Sequence, residues 1–120
     1  MAYDLYLAER LKRILSDRKA NFYQKAMMGG VVFMVEDKMC IGIARDKKTS
    51  EDRLMARIGE KAQLRYANKL GCRPMEFTGR PMKDFVFAYP EGYDLEKDLE
   101  FWVALALEFN PFAKKSKSRT

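Results

Sequence analysis

The sequence predicts an α+β domain in two layers, in which helices pack on a mostly antiparallel sheet. Three observations predict this class. Apolar residues recur at helical spacing near both ends and in the middle of the chain. Between the helices lie short runs rich in β-branched and aromatic residues, which favour strands. The elements follow in the order α-β-β-β-β-α-β-α, and a run of strands with helices at the ends and in the middle is typical of this class.

The first predicted element is a helix over residues 3–17. Its apolar residues lie on one stripe, and charged residues occupy the rest of the surface. Asp4 lies near the N-terminus, where the helix dipole favours a negative charge. The stripe consists of Leu7, Leu11, Ile14 and Leu15.

Three strands are predicted within residues 22–45. Gly29-Gly30 permits a kink or tight turn after the first strand, and residues 36–38 form a hairpin turn after the second. The second strand, residues 31–35, has large apolar side chains on both of its faces. We therefore expect it at the centre of the sheet, covered on both sides.

The middle of the chain continues with a polar loop over residues 45–53, a strand up to residue 58, a short helix that ends at Gly71, and a strand within residues 84–90. Most of the eight methionines fall in predicted strands. We interpret them as core filling rather than as an adaptable binding surface.

The last predicted helix spans residues 94–109, and its second half is apolar nearly all round. One stripe faces the core, and further apolar residues lie beside it. Such a helix is either deeply buried or shared with a partner chain. The residues beside the stripe are the candidate dimer or partner surface: Phe101, Val103 and Leu105.

The 120 residues predict one domain over residues 1–112 and a basic, disordered tail over residues 113–120. The net charge is +6, and the tail holds four of the 23 basic residues and no acid. The remaining 19 bases meet 17 acids, so the folded part is close to neutral. Nucleic acid is therefore not the favoured partner, because its binding needs a basic face.

Several chemistries are disfavoured by the composition. The chain has no histidine, which removes the commonest general base and the commonest metal ligand. The two cysteines match no zinc spacing, and no glycine-rich phosphate motif occurs. We expect neither enzyme activity nor a metal or cofactor. Cys72 is a weak candidate for a redox thiol, because the neighbouring Lys69 and Arg73 would lower its pKa.

The location of the protein follows from the same sequence. No signal peptide or long apolar segment occurs, and the cysteines are expected to be free thiols. We expect a cytoplasmic protein without a membrane span.

A duplicated tripeptide lies between the second helix and the last strand. Arg73-Pro74-Met75 recurs as Arg80-Pro81-Met82, and each proline holds the preceding arginine in an extended conformation. We interpret residues 71–85 mainly as a stiff connector, whose arginines cap loop carbonyls or meet carboxylates such as Glu76 or Asp84. The alternative is a contact for an anion or a partner through exposed cations: Arg73, Arg80 and Lys83.

Three segments carry a resemblance to a known family: MMGGVVFMVEDKMCIGI, LMARIG and CRPMEFTGRPMKDFVFAYPEG. Together they resemble the N-terminal domain of the TfoX/Sxy family of bacterial proteins, which is associated with natural competence. The resemblance implies a small, secretion-chaperone-like α+β fold and action with the cyclic-AMP receptor protein at promoters. It carries over no catalytic residue. In the regulators a helix-hairpin-helix-like domain follows, so the expectation here is a stand-alone N-terminal domain.

The leading hypothesis is a non-enzymatic protein-interaction module that acts in transcriptional regulation, with itself or a transcription regulator as the partner. One alternative is direct nucleic-acid binding through Arg73, Arg80, Lys83 and the basic tail. Another is a small-anion binder or enzyme that uses the same arginines, which requires a concave pocket beside them.

Overall fold

The computed structural model describes residues 3–27, 29–77 and 79–114. Ala113 is buried and Lys114 is exposed, whereas residues 115–120 of the predicted tail lie outside the described residues. The elements are α1 (Leu5–Asp17), β1 (Phe22–Met27), β2 (Gly30–Val35), β3 (Lys38–Arg45), β4 (Asp52–Arg57), α2 (Glu60–Arg65), β5 (Cys72–Phe77), β6 (Arg80–Ala88), α3 (Pro90–Tyr93), α4 (Glu96–Phe109) and a 3-10 turn (Asn110–Phe112).

The strands form one antiparallel sheet in the order β1-β2-β3-β4-β6-β5. The predicted α+β class and its antiparallel sheet are confirmed. One strand, β5, was not predicted. Residues 72–83 were expected to be a connector, but they form most of a β5–β6 hairpin. The physical reason is that β5 is an edge strand, where Pro74 needs no partner for its missing N–H group. Gly79, with φ of +79°, lies at the hairpin turn.

β2 lies inside the sheet, and its residues 31–35 are all buried, as predicted. Val31, Phe33 and Val35 pack into the larger core, under the helices. Val32 and Met34 pack into a second cluster on the opposite face. The alternation of a strand between two apolar layers therefore accounts for the continuous apolar run in the sequence.

The helical layer is centred on α1 and α4, which contact each other, while α4 also contacts β3 and β4. Trp102 is fully buried there, and its indole N–H donates a 3.0 Å hydrogen bond to the carbonyl of Gly92. No helix in the described part of the chain is long and apolar enough to span a membrane.

The second cluster contains residues from all six strands and no helical residue. Six of its members are buried and four are partly buried, although the cluster contains no helical residue. The cluster includes every methionine whose position the structure describes: Met27, Met34, Met39, Met55, Met75 and Met82. Their predicted role as core filling is confirmed, and flexible thioether side chains suit the irregular gaps of such a cluster.

Candidate functional site

A concavity of about 730 Å³ lies on the helix-free face of the sheet, beside the β3–β4 loop. We call it the basic concavity, because five cationic residues line it against two acidic ones. The β3–β4 loop and the adjoining strand ends supply four of the cations, and β5 supplies the fifth. The cations are Arg45, Lys47, Lys48, Arg53 and Arg73, and the acids are Asp46 and Glu76.

Arg53 is held on the wall of the basic concavity by three groups. Its Nη1 lies 3.3 Å from Oδ2 of Asp46 and donates a 2.8 Å hydrogen bond to the hydroxyl of Tyr89. Its guanidinium carbon lies 3.8 Å from the ring centroid of Phe87, within the range of a cation–π contact. The side chain is therefore oriented before any ligand arrives.

The ionisation of Asp46 and Tyr89 supports this arrangement. Tyr89 donates a 2.7 Å hydrogen bond to Oδ2 of Asp46. That bond is the main cause of a lowered pKa at Asp46, and the backbone N–H of Lys48 and the charge of Arg53 lower it further. Burial, followed by the hydrogen bond to Asp46, raises the pKa of Tyr89. The carboxylate thus stays ionised and the phenol stays protonated near neutral pH.

Arg73 also lies near Tyr89, but no carboxylate among the described residues pairs with it. Its guanidinium carbon lies 5.3 Å from the Tyr89 ring centroid, and the residue is exposed. Within the described residues, Arg73, Lys47 and Lys48 form no ion pair. The basic concavity therefore combines one pre-oriented arginine with three cations that form no ion pair in the described part of the chain.

The structure does not bring the three predicted cations together. Arg73 pairs with Phe87 at the far end of the β5–β6 hairpin, whereas Arg80 is exposed beside the turn. Lys83 lines a different concavity of about 400 Å³, which also contains Arg57. Only Arg73 belongs to the basic concavity.

Most residues that line the basic concavity were missed by sequence reasoning, among them Lys47, Lys48, Arg53 and Tyr89. Lys47 and Lys48 carried a signal, since they are adjacent cations in a loop, but their sequence position alone indicated only solvent exposure. Arg53 and Tyr89 were placed in strand patterns. Their approach depends on the pairing of β4 with β6, which a single sequence does not specify.

The expectation for Cys72 is corrected. The residue is buried, and this burial raises the pKa of its thiol despite the opposing charges of Arg73 and Lys69. Burial also raises the pKa of the Cys40 thiol, to about 12. Both free cysteines are thus expected to be protonated and slow to react at neutral pH.

The three apolar residues predicted as a partner surface have different environments. Val103 is fully buried in the core, so its placement on a partner surface is wrong. Phe101 is half-buried, and its ring meets Tyr66 edge-on at 5.1 Å between centroids. Leu105 is half-buried and lines a groove. The apolar character of α4 is therefore explained largely by packing within the chain.

That groove, of about 290 Å³, runs between α2, α4 and the 3-10 turn. We call it the helical groove. Its apolar lining includes Ile58, Leu105, Phe109 and Phe112, and Lys61, Arg65 and Glu108 supply charges of both signs. Phe112 is 78% exposed at the edge of this apolar surface.

A metal centre was not expected from the sequence. Across residues 3–27, 29–77 and 79–114, no three Cys, Asp or Glu side chains cluster as a metal ion would require. The basic concavity, with its excess of cations, is suited to an anion instead.

Comparison with known families gives one decisive result. The model of the TfoX N-terminal domain matches residues 14–110. The chain belongs to the TfoX N-terminal domain family. No curated protein matches the sequence. The match spans the whole sheet, α2 and α4, and it confirms the resemblance found from the sequence. Membership supports a competence-regulator-like module, and the TfoX N-terminal domain is not a known enzyme family.

Proposed function

We propose that this TfoX N-terminal domain is a non-enzymatic protein-interaction module, which acts in transcriptional regulation by binding a transcription regulator. The observation that carries the proposal is Phe112, an aromatic side chain left 78% exposed beside the helical groove. Exposed aromatic side chains next to apolar depressions are typical anchors of protein interfaces.

Phe112 lies in the 3-10 turn after α4, and hydrogen bonds to the sheet hold this turn in place. Asn110 is buried, and its Nδ2 donates a 3.1 Å hydrogen bond to the carbonyl of Val35 in β2. Lys38 of β3 donates a 3.0 Å hydrogen bond from Nζ to the carbonyl of Asn110. Two strands of the sheet therefore hold the turn that presents Phe112, so little ordering entropy would be lost on binding.

The helical groove also has the composition of a protein contact. Its apolar lining would accept an apolar side chain, and Lys61 and Arg65 of α2 and Glu108 of α4 line it as well. Charges of both signs at the rim favour one orientation of a partner over others. The resemblance to competence regulators makes the cyclic-AMP receptor protein the first partner to examine.

The test compares two exposed side chains of the same domain. Phe112 and Leu64 are both 78% exposed, but only Phe112 lines the helical groove. We expect Phe112→Ala to weaken binding to purified cyclic-AMP receptor protein by roughly thirtyfold, the effect of an interface hot spot. Leu64→Ala should leave the affinity unchanged. Absence of binding by the wild type, or equal losses in both variants, would overturn the proposal.

Self-association is the competing use of the helical groove. Light scattering on the isolated domain distinguishes it, because the monomer has a mass of 14.0 kDa. A particle of twice that mass that dissociates in Phe112→Ala but persists in Leu64→Ala would assign the groove to a second copy. The regulator would then have to bind elsewhere, contrary to the proposal.

Direct nucleic-acid binding receives less support from the geometry. Arg73, Arg80 and Lys83 are all exposed, but they lie in three separate places and define no continuous basic face. The tail residues 115–120 lie outside the described part of the chain. We therefore prefer a protein partner, and include DNA as a probe in the experiment below.

A further inference from the structure

We propose that the basic concavity is a binding site for the phosphate group of a small phosphorylated ligand, such as a nucleotide. This inference is independent of the interaction proposed above, since the basic concavity and the helical groove share no lining residue. It rests on charge, on the orientation of Arg53 and on the shape of the space.

The charge of the basic concavity matches a dianion. Five cationic residues line it, and Asp46 and Glu76 are the acids of its wall. A further carboxylate, Asp52, lies 3.5 Å from Arg45 and compensates that cation. Five positive charges against three negative ones leave a net charge of +2. A phosphate monoester near neutral pH carries nearly two negative charges, which would neutralise this excess.

The donors are placed for oxyanion binding. Arg53 is fixed by Asp46 and Tyr89, so it offers its remaining N–H groups without losing further side-chain entropy. Arg73 has no carboxylate partner within the described residues, and its planar guanidinium suits bidentate contact with phosphate oxygens. Lys47 and Lys48 of the adjoining loop line the same space, and their ammonium groups form no ion pair with any residue that the structure describes.

The shape favours a small ligand over a nucleic-acid duplex. The volume of about 730 Å³ falls in the range of small-molecule sites. Its cations converge from the β3–β4 region and β5 around one depression, whereas a duplex is followed by cations along an extended face. Phe87 and Tyr89 supply aromatic surface in the same depression, on which an apolar part of the ligand would rest.

The repeated tripeptide supplies a matched pair of variants for calorimetric titration. Arg73 and Arg80 are both exposed and both precede a proline, but only Arg73 lines the basic concavity. The probes are inorganic pyrophosphate, ATP and a short DNA duplex, at one fixed salt concentration. We expect pyrophosphate and ATP to bind the wild type, Arg73→Gln to weaken both by about tenfold, and Arg80→Gln to change them less than twofold.

Two further variants test whether pyrophosphate binds in the basic concavity and not elsewhere on the domain. Lys48→Gln removes a second, exposed lining cation and should also weaken pyrophosphate binding severalfold. Phe112→Ala should leave it unchanged, so failure of the interaction proposal and failure of this one are distinguishable. No pyrophosphate or ATP binding at millimolar concentration overturns the inference. Equal losses of pyrophosphate or ATP affinity in Arg73→Gln and Arg80→Gln also overturn it. DNA binding that is lost equally in both variants does the same, since such results indicate that phosphates are attracted by the overall positive charge and not by one site.

Discussion

The side-chain amide of Gln63 forms hydrogen bonds to the backbone of β6 on both sides of Asp84 and to Asp84 itself. Nε2 of Gln63 donates hydrogen bonds of 2.8 Å and 2.9 Å to the carbonyls of Met82 and Phe85, and Oε1 accepts a 3.2 Å bond from the N–H of Asp84. Asp84 has a φ of +78°, a conformation that non-glycine residues rarely adopt. One α2 side chain therefore satisfies three backbone groups where β6 departs from regular geometry.

Replacement of Gln63 by alanine should destabilise the domain by roughly 2 kcal/mol, because three backbone hydrogen bonds lose their partner in a half-buried place. Urea unfolding followed by the fluorescence of the single tryptophan measures the change. Gln24 of β1 is exposed, so Gln24→Ala is the matched control. It should change the free energy of unfolding by less than about 0.5 kcal/mol, the usual range for surface substitutions. Similar losses in the two variants would show that Gln63 does not support β6.

The fold was predictable where one residue pattern decides the structure. The two apolar faces of residues 31–35 indicated an inner strand, and the stripe of α1 indicated its buried side. The Gln63 contact could not be predicted, because a glutamine in a short helix has no pattern that names its partner. β5 was missed for a related reason, since Pro74 argues against a strand unless that strand is known to be an edge.

The candidate site was predictable only in part. Arg73 was identified from its proline neighbour, and the structure places it in the basic concavity. Arg80 has the same local sequence but lies near the hairpin turn, because it pairs with Phe77. The register of the β5–β6 pair thus places the two identical Arg-Pro-Met tripeptides in different environments. That register is set by side chains distant in sequence, so the composition of the site becomes visible only in the folded chain.

The hydrogen bond between Tyr89 and Asp46 makes a prediction about acid stability. The lowered pKa of Asp46 means that the folded state binds this proton less readily than the unfolded chain, whose ordinary value is 3.8. The resulting stabilisation is present above about pH 4 and is lost as the pH falls through the folded-state pKa. Tyr89→Phe removes the main cause of the shift. We therefore expect the pKa of Asp46, followed by carboxyl NMR shifts, to rise towards 3.8.

Tyr23 offers a matched control for that titration. Its hydroxyl donates a 3.1 Å hydrogen bond to Asp37, and both residues are exposed and outside the basic concavity. Tyr23→Phe should leave the pKa of Asp46 unchanged. If Tyr89→Phe also leaves it unchanged, the Tyr89 hydroxyl does not set the ionisation of Asp46, and the described orientation of Arg53 loses one of its supports.

Two glycines with the same backbone conformation test how tightly α3 is packed against the start of β5. Gly71 and Gly79 have φ values of +78° and +79°, so alanine at either position is strained. A Cβ atom at Gly71 would lie 2.6 Å from the backbone N of Gly92, whereas at Gly79 it would meet nothing within 4 Å. We expect Gly79→Ala to reduce the stability by about 1 kcal/mol, from backbone strain alone. Gly71→Ala should reduce it by roughly 3 kcal/mol, since overpacking against rigid backbone adds to the strain. Thermal unfolding of both variants measures the difference, and equal shifts of Tm would contradict the close approach of Gly71 to Gly92.

The same pair of variants tests the wall of the basic concavity, because the backbone N–H of Tyr89 donates a 2.8 Å hydrogen bond to the carbonyl of Gly71. Loosening at Gly71 should disturb this wall. We therefore expect Gly71→Ala to weaken pyrophosphate binding and Gly79→Ala to preserve it.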